Sequence, residues 1–195
     1  MGSGKFSKLG LLEESIINGM LLSVNDIPQI VKLLKAGEIV VMPTDTIYGI
    51  HCLPHYQDLI DKICEIKRRA KDMPLITLIS NWAEIINFDV KLDDFEQDQI
   101  RNYCPGPNTL IFKTNHGTTK SFRLPESEFL ISVLKKTGPL VSTSANLHGF
   151  PTAKSIAEAE QIFGDSIKYY VDGGFLNNPP SSIYRFENDQ IAKLR

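Results

Sequence analysis

Apolar positions along this chain come in two spacings that alternate. Ile30, Val31, Leu33 and Leu34 recur with helical period, Asp26 stands at the N-cap place, Pro28 fits the first turn, and Gly37 suits the C-terminal end. Residues 38–42 follow with β-branched Ile39, Val40 and Val41, which predict a buried strand. The same change of period repeats. Helices are predicted over residues 59–68, 81–86, 93–103, 126–136 and 153–163, the last with Ser155 and Glu158 spaced for a capping box. Strands are predicted over residues 75–79, 109–112, 121–124, 140–142, 167–171, 182–186 and 191–194. Residues 8–24 read as a short helix or an extension. Strand and helix alternate throughout, which gives an α/β class. Several strands are separated by turns alone, so a mixed parallel and antiparallel sheet is expected.

Length limits the organisation. The chain has 195 residues, 42% of them hydrophobic, enough for one sizeable core and too few for two ordinary domains. Residues 1–25 are expected to be a leader or N-terminal extension, and residues 26–195 the domain. Gly2 does not meet a myristoylation pattern, because Phe6 stands where Ser or Thr belongs. The run Gly2-Ser3-Gly4-Lys5 lacks the strand and glycine spacing of a phosphate loop, so a flexible leader or cloning remnant is preferred.

Charge narrows the partners. Lys and Arg number 21 against 23 Asp and Glu, a formal charge of -2, which argues against a broad basic field that holds nucleic acid by charge alone. Any anion site must be focused. The 3 cysteines form no CxxC pair, which argues against a zinc knuckle or disulfide scaffold and for a reducing, cytoplasmic compartment. No apolar run reaches the ~20 residues of a membrane helix. His51, His55, His116 and His148 make no metal pattern, since Pro54 interrupts the only helical spacing among them.

Candidate chemistry gathers in polar segments that follow apolar ones. Lys67, Arg68, Arg69 and Lys71 repel one another, and a polyanion would relieve them; a solvated helix end is the alternative. Thr44-Asp45-Thr46 and Ser142-Thr143-Ser144-Ala145-Asn146 each follow a buried strand, where they suit a ligand or plain turn chemistry. Arg123 lies in an otherwise apolar strand and either faces solvent or has a partner. No GxSxG elbow or metal triad is present. The chain thus favours catalysis by positioning and electrostatics.

These segments, in this order, resemble the YrdC-like family of threonylcarbamoyl-adenylate synthases, from about Asp26 to Arg195. The carriers are Lys35-Ala36-Gly37 with residues 41–50, Ile66-Lys67-Arg68-Arg69 with Pro74-Leu75, Tyr103-Cys104-Pro105-Gly106-Pro107-Asn108-Thr109, Ser121-Phe122-Arg123-Leu124-Pro125, residues 139–146 with Gly149, and Pro180-Ser181-Ser182-Ile183. Ser182 departs from the family, which has threonine there. The resemblance implies one twisted α/β domain with a large concave cavity. It implies that Lys67 and Arg69 are catalytic and bind ATP phosphates and the substrate carboxylate, that Ser144 and Asn146 hold phosphate and ribose of ATP, and that Arg123 and Arg195 contact the nucleotide. It places threonine on Thr44, Thr46, Tyr48, Thr109 and Ser181. The substrates implied are L-threonine, bicarbonate or CO2, and ATP with Mg2+ held mainly by the phosphates, and the adenylate would pass to a tRNA-modifying partner enzyme. Two alternatives stand beside this: a double-stranded RNA or tRNA-binding module without catalysis, and a carbamoyl-adenylate activity of the hydrogenase-maturation type.

Overall fold

The computed structural model describes residues 20–187 and 189–195. The readings of Gly2, of the run at 2–5 and of residues 8–19 lie outside them. Ten strands form one sheet: β1 (Met20–Ser23), β2 (Val40–Pro43), β3 (Tyr48–Cys52), β4 (Ile76–Leu78), β5 (Asn108–Lys113), β6 (Thr119–Arg123), β7 (Leu140–Ser144), β8 (Tyr169–Asp172), β9 (Ser182–Glu187) and β10 (Gln190–Lys193). Five α-helices join them: α1 (Ile27–Lys35), α2 (Gln57–Ile66), α3 (Asp94–Ile100), α4 (Glu128–Thr137) and α5 (Ile156–Phe163), with a 3-10 helix over Trp82–Phe88.

The strand order is β1-β8-β2-β3-β7-β4-β6-β5-β9-β10. Pairing is parallel in β1/β8, β2/β8, β4/β6 and β5/β9, and antiparallel in the other pairs. The mixed sheet is therefore as expected. Met20 to Ser23, read from sequence as part of a helix or extension, pair in register with Tyr169 to Asp172 as an edge strand. Its one buried side chain, Leu22, packs into the core beneath α1.

Alternation along the strands assigns the two faces of the sheet. Val40 and Met42 of β2, with Leu78 and Leu140, pack against Ile30, Leu33 and Leu34 of α1 and Leu130, Val133 and Leu134 of α4. Val41, Tyr48, Ile50 and Val141 point the other way, onto Ile63 of α2 and Ile156, Ala159 and Phe163 of α5. Leu110, Phe112, Phe122 and Phe186 continue that second face under Ile85 of the 3-10 helix and Ile100 of α3. Full burial of a Val, Leu, Ile, Phe or Met side chain in these clusters stabilises the fold by roughly 1.5–3 kcal/mol relative to exposure. The second face carries α2, α5, the 3-10 helix and α3. The first is covered only where α1 and α4 sit, and the remainder opens into a cavity.

Local signals account for the helix ends. Ser127 accepts from Leu130 N at 3.3 Å at the start of α4. Ser155 likewise accepts from Glu158 N, but the Glu158 carboxylate reaches Lys154 N at 2.8 Å, one residue before the place a capping box requires. The complete box is at α3, where Asp93 and Glu96 exchange bonds of 2.7 and 3.0 Å. Asp26 caps nothing with its side chain; its carboxylate instead accepts from Ser23 N at 2.8 Å and ties β1 to α1.

Candidate active site

The cavity on the open face has a volume of about 350 Å³, within the range of small-molecule sites. It is lined by side chains or backbone of Thr44, Thr46, Tyr48, Arg69, Thr109, Arg123, Ser144, Asn146, Ser181 and Arg195. Every residue expected in the site is thus at the cavity except Lys67. Three guanidinium groups line it, and among the described residues no Asp or Glu side chain does.

The end of α2 explains why neighbouring cations part company. Arg68 takes φ 51°, Arg69 N bonds Cys64 O at 2.9 Å, and Arg68 N bonds Glu65 O at 3.0 Å. That is a Schellman turn with an arginine in the left-handed position usually given to glycine. It sends Arg68 to solvent and turns Arg69 into the cavity. Lys71 turns back to Asp61 at 2.8 Å and Glu65 at 3.5 Å. Arg69 donates to Pro74 O at 2.7 Å and approaches Thr143 Oγ1 at 3.5 Å, while its Nε is buried with no partner among the described residues.

Lys67 is buried, 1% exposed, behind the loop after β7. Its ammonium donates to Ser144 O, to Asn146 O at 2.7 Å and to Asn146 Oδ1 at 2.9 Å. Three N–H groups meet three acceptors, so this lysine organises the loop rather than reaching into the cavity. Ser144 Oγ donates to the same Asn146 Oδ1 at 2.6 Å, and Asn146 Nδ2 donates to Phe150 O at 2.6 Å. Burial, followed by the charge of Arg69, lowers the Lys67 pKa to about 8. The surrounding oxygens oppose that fall, because they favour the charged form.

Arg123 is the cation that sequence left between solvent and partner, and it has a partner. At 4% exposure its Nη2 lies 2.7 Å from Asp45 Oδ1, without the alignment of a full hydrogen bond. Nη1 donates to Thr46 Oγ1 at 2.9 Å and Nε to Gly106 O at 3.2 Å. Asp45 Oδ2 accepts from Glu126 N at 3.1 Å. Thr44 Oγ1 completes the knot, donating to Ile47 O at 2.7 Å beside Thr46 Oγ1 at 3.0 Å. Asp45 therefore braces Arg123 and the turn before α4.

Across the cavity, Thr109 Oγ1 and Ser181 Oγ lie 2.9 Å apart. Arg195 donates to Ser181 O from Nε at 3.1 Å and Nη2 at 2.9 Å. Burial, with Arg123 nearby, holds the Arg195 pKa below its ordinary value. Tyr48 differs from expectation. Its hydroxyl donates to Gly174 O at 2.7 Å and accepts from Gly173 N at 3.0 Å, so it holds a turn and does not present a free hydroxyl to ligand. Burial raises its pKa.

No group of three or more His, Cys, Asp or Glu suited to a metal occurs among the described residues. The lining offers no carboxylate to a divalent ion, and Asp45 is engaged by Arg123. These side chains therefore do not form a Mg2+ site of their own.

Fold and cavity define a class: a mixed α/β protein whose sheet carries a concave, hydroxyl-rich, cationic site. The Sua5–YciO–YrdC family, described as telomere recombination, matches residues 32–195, and the chain belongs to that family. Threonylcarbamoyl-AMP synthase of Pseudoalteromonas translucida is 31% identical over 175 residues, covering 82% of this chain and 92% of that one. Among solved structures, P. abyssi Sua5 complexed with L-threonine superposes with a TM-score of 0.82 at 21% identity, over 90% of this chain and 57% of that one. E. coli YciO superposes with a TM-score of 0.81 at 20% identity, over 91% and 95%. The present chain thus spans little more than half of the Sua5 protein and nearly all of YciO. No helix among the described residues is long and apolar enough to cross a membrane.

Proposed function

We propose that the chain is an L-threonylcarbamoyladenylate synthase, which makes threonylcarbamoyl-AMP and pyrophosphate from L-threonine, bicarbonate or CO2, and ATP. The adenylate would serve a partner enzyme that installs N6-threonylcarbamoyladenosine in tRNA. The observation that carries this reading is the convergence, in one cavity, of residues from β2 through the C-terminal arginine: Arg69, Arg123 and Arg195 with Thr46, Thr109, Ser144 and Ser181.

The cations suit a triphosphate. Arg69 has a buried, unpartnered Nε, and such a donor is costly until an acceptor arrives. A phosphate or carboxylate oxygen supplies one, and the guanidinium fork suits it in geometry. Arg123 is half-neutralised by Asp45 and serves mainly to fix Thr46 and the turn at Gly106. Lys67 would act on nucleotide through the Ser144–Asn146 loop that it holds. The hydroxyl pair of Thr109 and Ser181 offers threonine a donor and an acceptor.

The reaction has two stages in this reading. The neutral amine of threonine attacks CO2 and forms a carbamate. A carbamate oxygen then attacks the α-phosphorus of ATP, the α–β bridging bond breaks, and pyrophosphate leaves. Carbamate and triphosphate are both anions, so cations with no carboxylate between them lower the repulsion of bringing them together. The test is pyrophosphate release by the pure protein. The reading expects release only when threonine, bicarbonate and ATP are all present. Release that ignores threonine, or none at all, would remove it.

A further inference from the structure

Carbamate formation leaves a proton to be placed. When an amine adds to CO2, the nitrogen of the adduct carries a proton that must depart before a carbamate remains. Among the described residues the cavity lining has no Asp, Glu or His side chain to take it.

One titratable side chain lies directly behind the cavity floor. His51 on β3 is 0% exposed, and neither ring nitrogen makes an aligned hydrogen bond among the described residues. Its neighbours Tyr48 and Ile50 belong to the cluster under α2 and α5, so alternation puts Gly49 and His51 on the cavity face. Gly49 lines the cavity. The imidazole occupies the space a Gly49 side chain would take: a Cβ there would meet His51 Cε1 at 2.7 Å and Nε2 at 3.0 Å. The ring therefore lies along the floor, one glycine deep. Opposite it, Ser142 of β7 is its register partner, and Ser142 is both buried and part of the lining. Directly opposed residues of an antiparallel pair hold their Cβ atoms about 4.5–5.5 Å apart, which makes Ser142 a side-chain neighbour of the imidazole. The imidazole has backbone contacts at Val40 and Gly49 but no aligned hydrogen bond among the described residues; a buried imidazole so placed is costly, and a proton route gives it a reason to be there.

We propose that His51 is the proton acceptor of the first stage, reached from the substrate nitrogen through the Ser142 hydroxyl or one bridging water. The amine lone pair forms the N–C bond to CO2 as one C=O pair moves onto oxygen. The N–H bond then breaks and leaves its electrons on nitrogen. Ser142 receives that proton while handing its own to the imidazole, and the imidazolium returns it by the same path after the adenylate departs. Burial keeps the imidazole neutral by lowering its pKa to about 4, against a weaker upward pull from the backbone of Val40 and Gly49. Such a weak base suits an N-protonated carbamate, a strong acid, and would not deprotonate a free ammonium. Asp45, between the lining residues Thr44 and Thr46, is held by Arg123.

The inference rests on the proposed function and is tested beside it. His51→Gln keeps hydrogen bonding without proton transfer, and His51→Phe keeps volume alone. Turnover in threonine- and bicarbonate-dependent pyrophosphate release should fall about 10²–10⁴-fold in both, with ATP affinity by calorimetry little changed. In His51→Gly, free imidazole should restore turnover, and across substituted imidazoles the restored rate should follow their basicity. A structural role would not give that dependence. Turnover in His51→Gln within a few-fold of wild type, or rescue indifferent to basicity, overturns the inference alone. A wild-type protein with no threonine dependence overturns the functional reading and this inference with it.

Discussion

Replacing Lys67 by methionine keeps most of the buried stem and removes the ammonium. Ser144 O, Asn146 O and Asn146 Oδ1 then lose the donor they share. Each buried acceptor left bare costs about 1–3 kcal/mol. Against this stands relief from burying a charge. The Lys67 pKa falls from the ordinary 10.5 to about 8, which corresponds to roughly 3 kcal/mol of disfavoured ammonium. The net expectation is destabilisation of about 1 kcal/mol, since Ser144 Oγ still serves Asn146 Oδ1 and two acceptors are left bare. Urea denaturation reads that loss as a lower midpoint at unchanged slope. Pyrophosphate release should fall together with ATP affinity, because the loop after β7 is no longer pinned. A double-mutant cycle with Asn146→Ala should show strong coupling, the two side chains being in direct contact. Lys67→Met with wild-type stability and simply additive behaviour with Asn146→Ala would refute the reasoning, and would return Lys67 to the role of a free phosphate ligand.

Three further outcomes follow from the same geometry. Asp45→Ala leaves Arg123 buried and uncompensated, so thermal or chemical denaturation should show a loss of about 3–5 kcal/mol, with the threonine KM raised through the freed Thr46. The pH profile of turnover should fall on its alkaline side with an apparent pKa of about 8, as the neutral amine has two hydrogens for three acceptors, and Lys67→Met should lack that limb. Stability moves the other way: with the folded pKa lowered, the unfolded chain binds more protons between about 8 and 10.5, so the contribution of Lys67 to stability rises with pH through that window. Arg68→Gly should raise stability by about 0.5–1 kcal/mol by relieving a left-handed arginine, and leave turnover unchanged because Arg68 faces solvent.

Much of the fold was legible because it rests on local rules. Period and β-branching located α1, α2, α4 and α5 and most strands within a few residues. The exposed, alternating stretch Met20–Ser23 was not recognised as a strand. Only one of its side chains is buried, and its pairing with Tyr169–Asp172 spans most of the chain. The site was legible as a set of segments but not as a geometry. Lys67 and Arg69 lie two residues apart, yet the turn at Arg68 sends one behind the loop and the other into the cavity. The pair Asp45 and Arg123 joins two distant strand ends, and no spacing rule reports such a contact. Tyr48 was expected to face threonine, whereas strand alternation directs its ring to α2 and α5. His51 fits no metal motif by spacing, and only the structure shows that Gly49, two residues before it, lines the cavity.

The central claim is that one cavity joins threonine, CO2 and the α-phosphate of ATP. It is tested most directly by incubating the pure protein with threonine, ATP and carbon-13 bicarbonate, then weighing the nucleotide products by mass spectrometry. An adenylate carrying both the threonine skeleton and the labelled carbon is the predicted product, and Arg69→Ala should suppress it. Unlabelled AMP or ADP as the sole nucleotide product, or ATP recovered intact, would contradict the account.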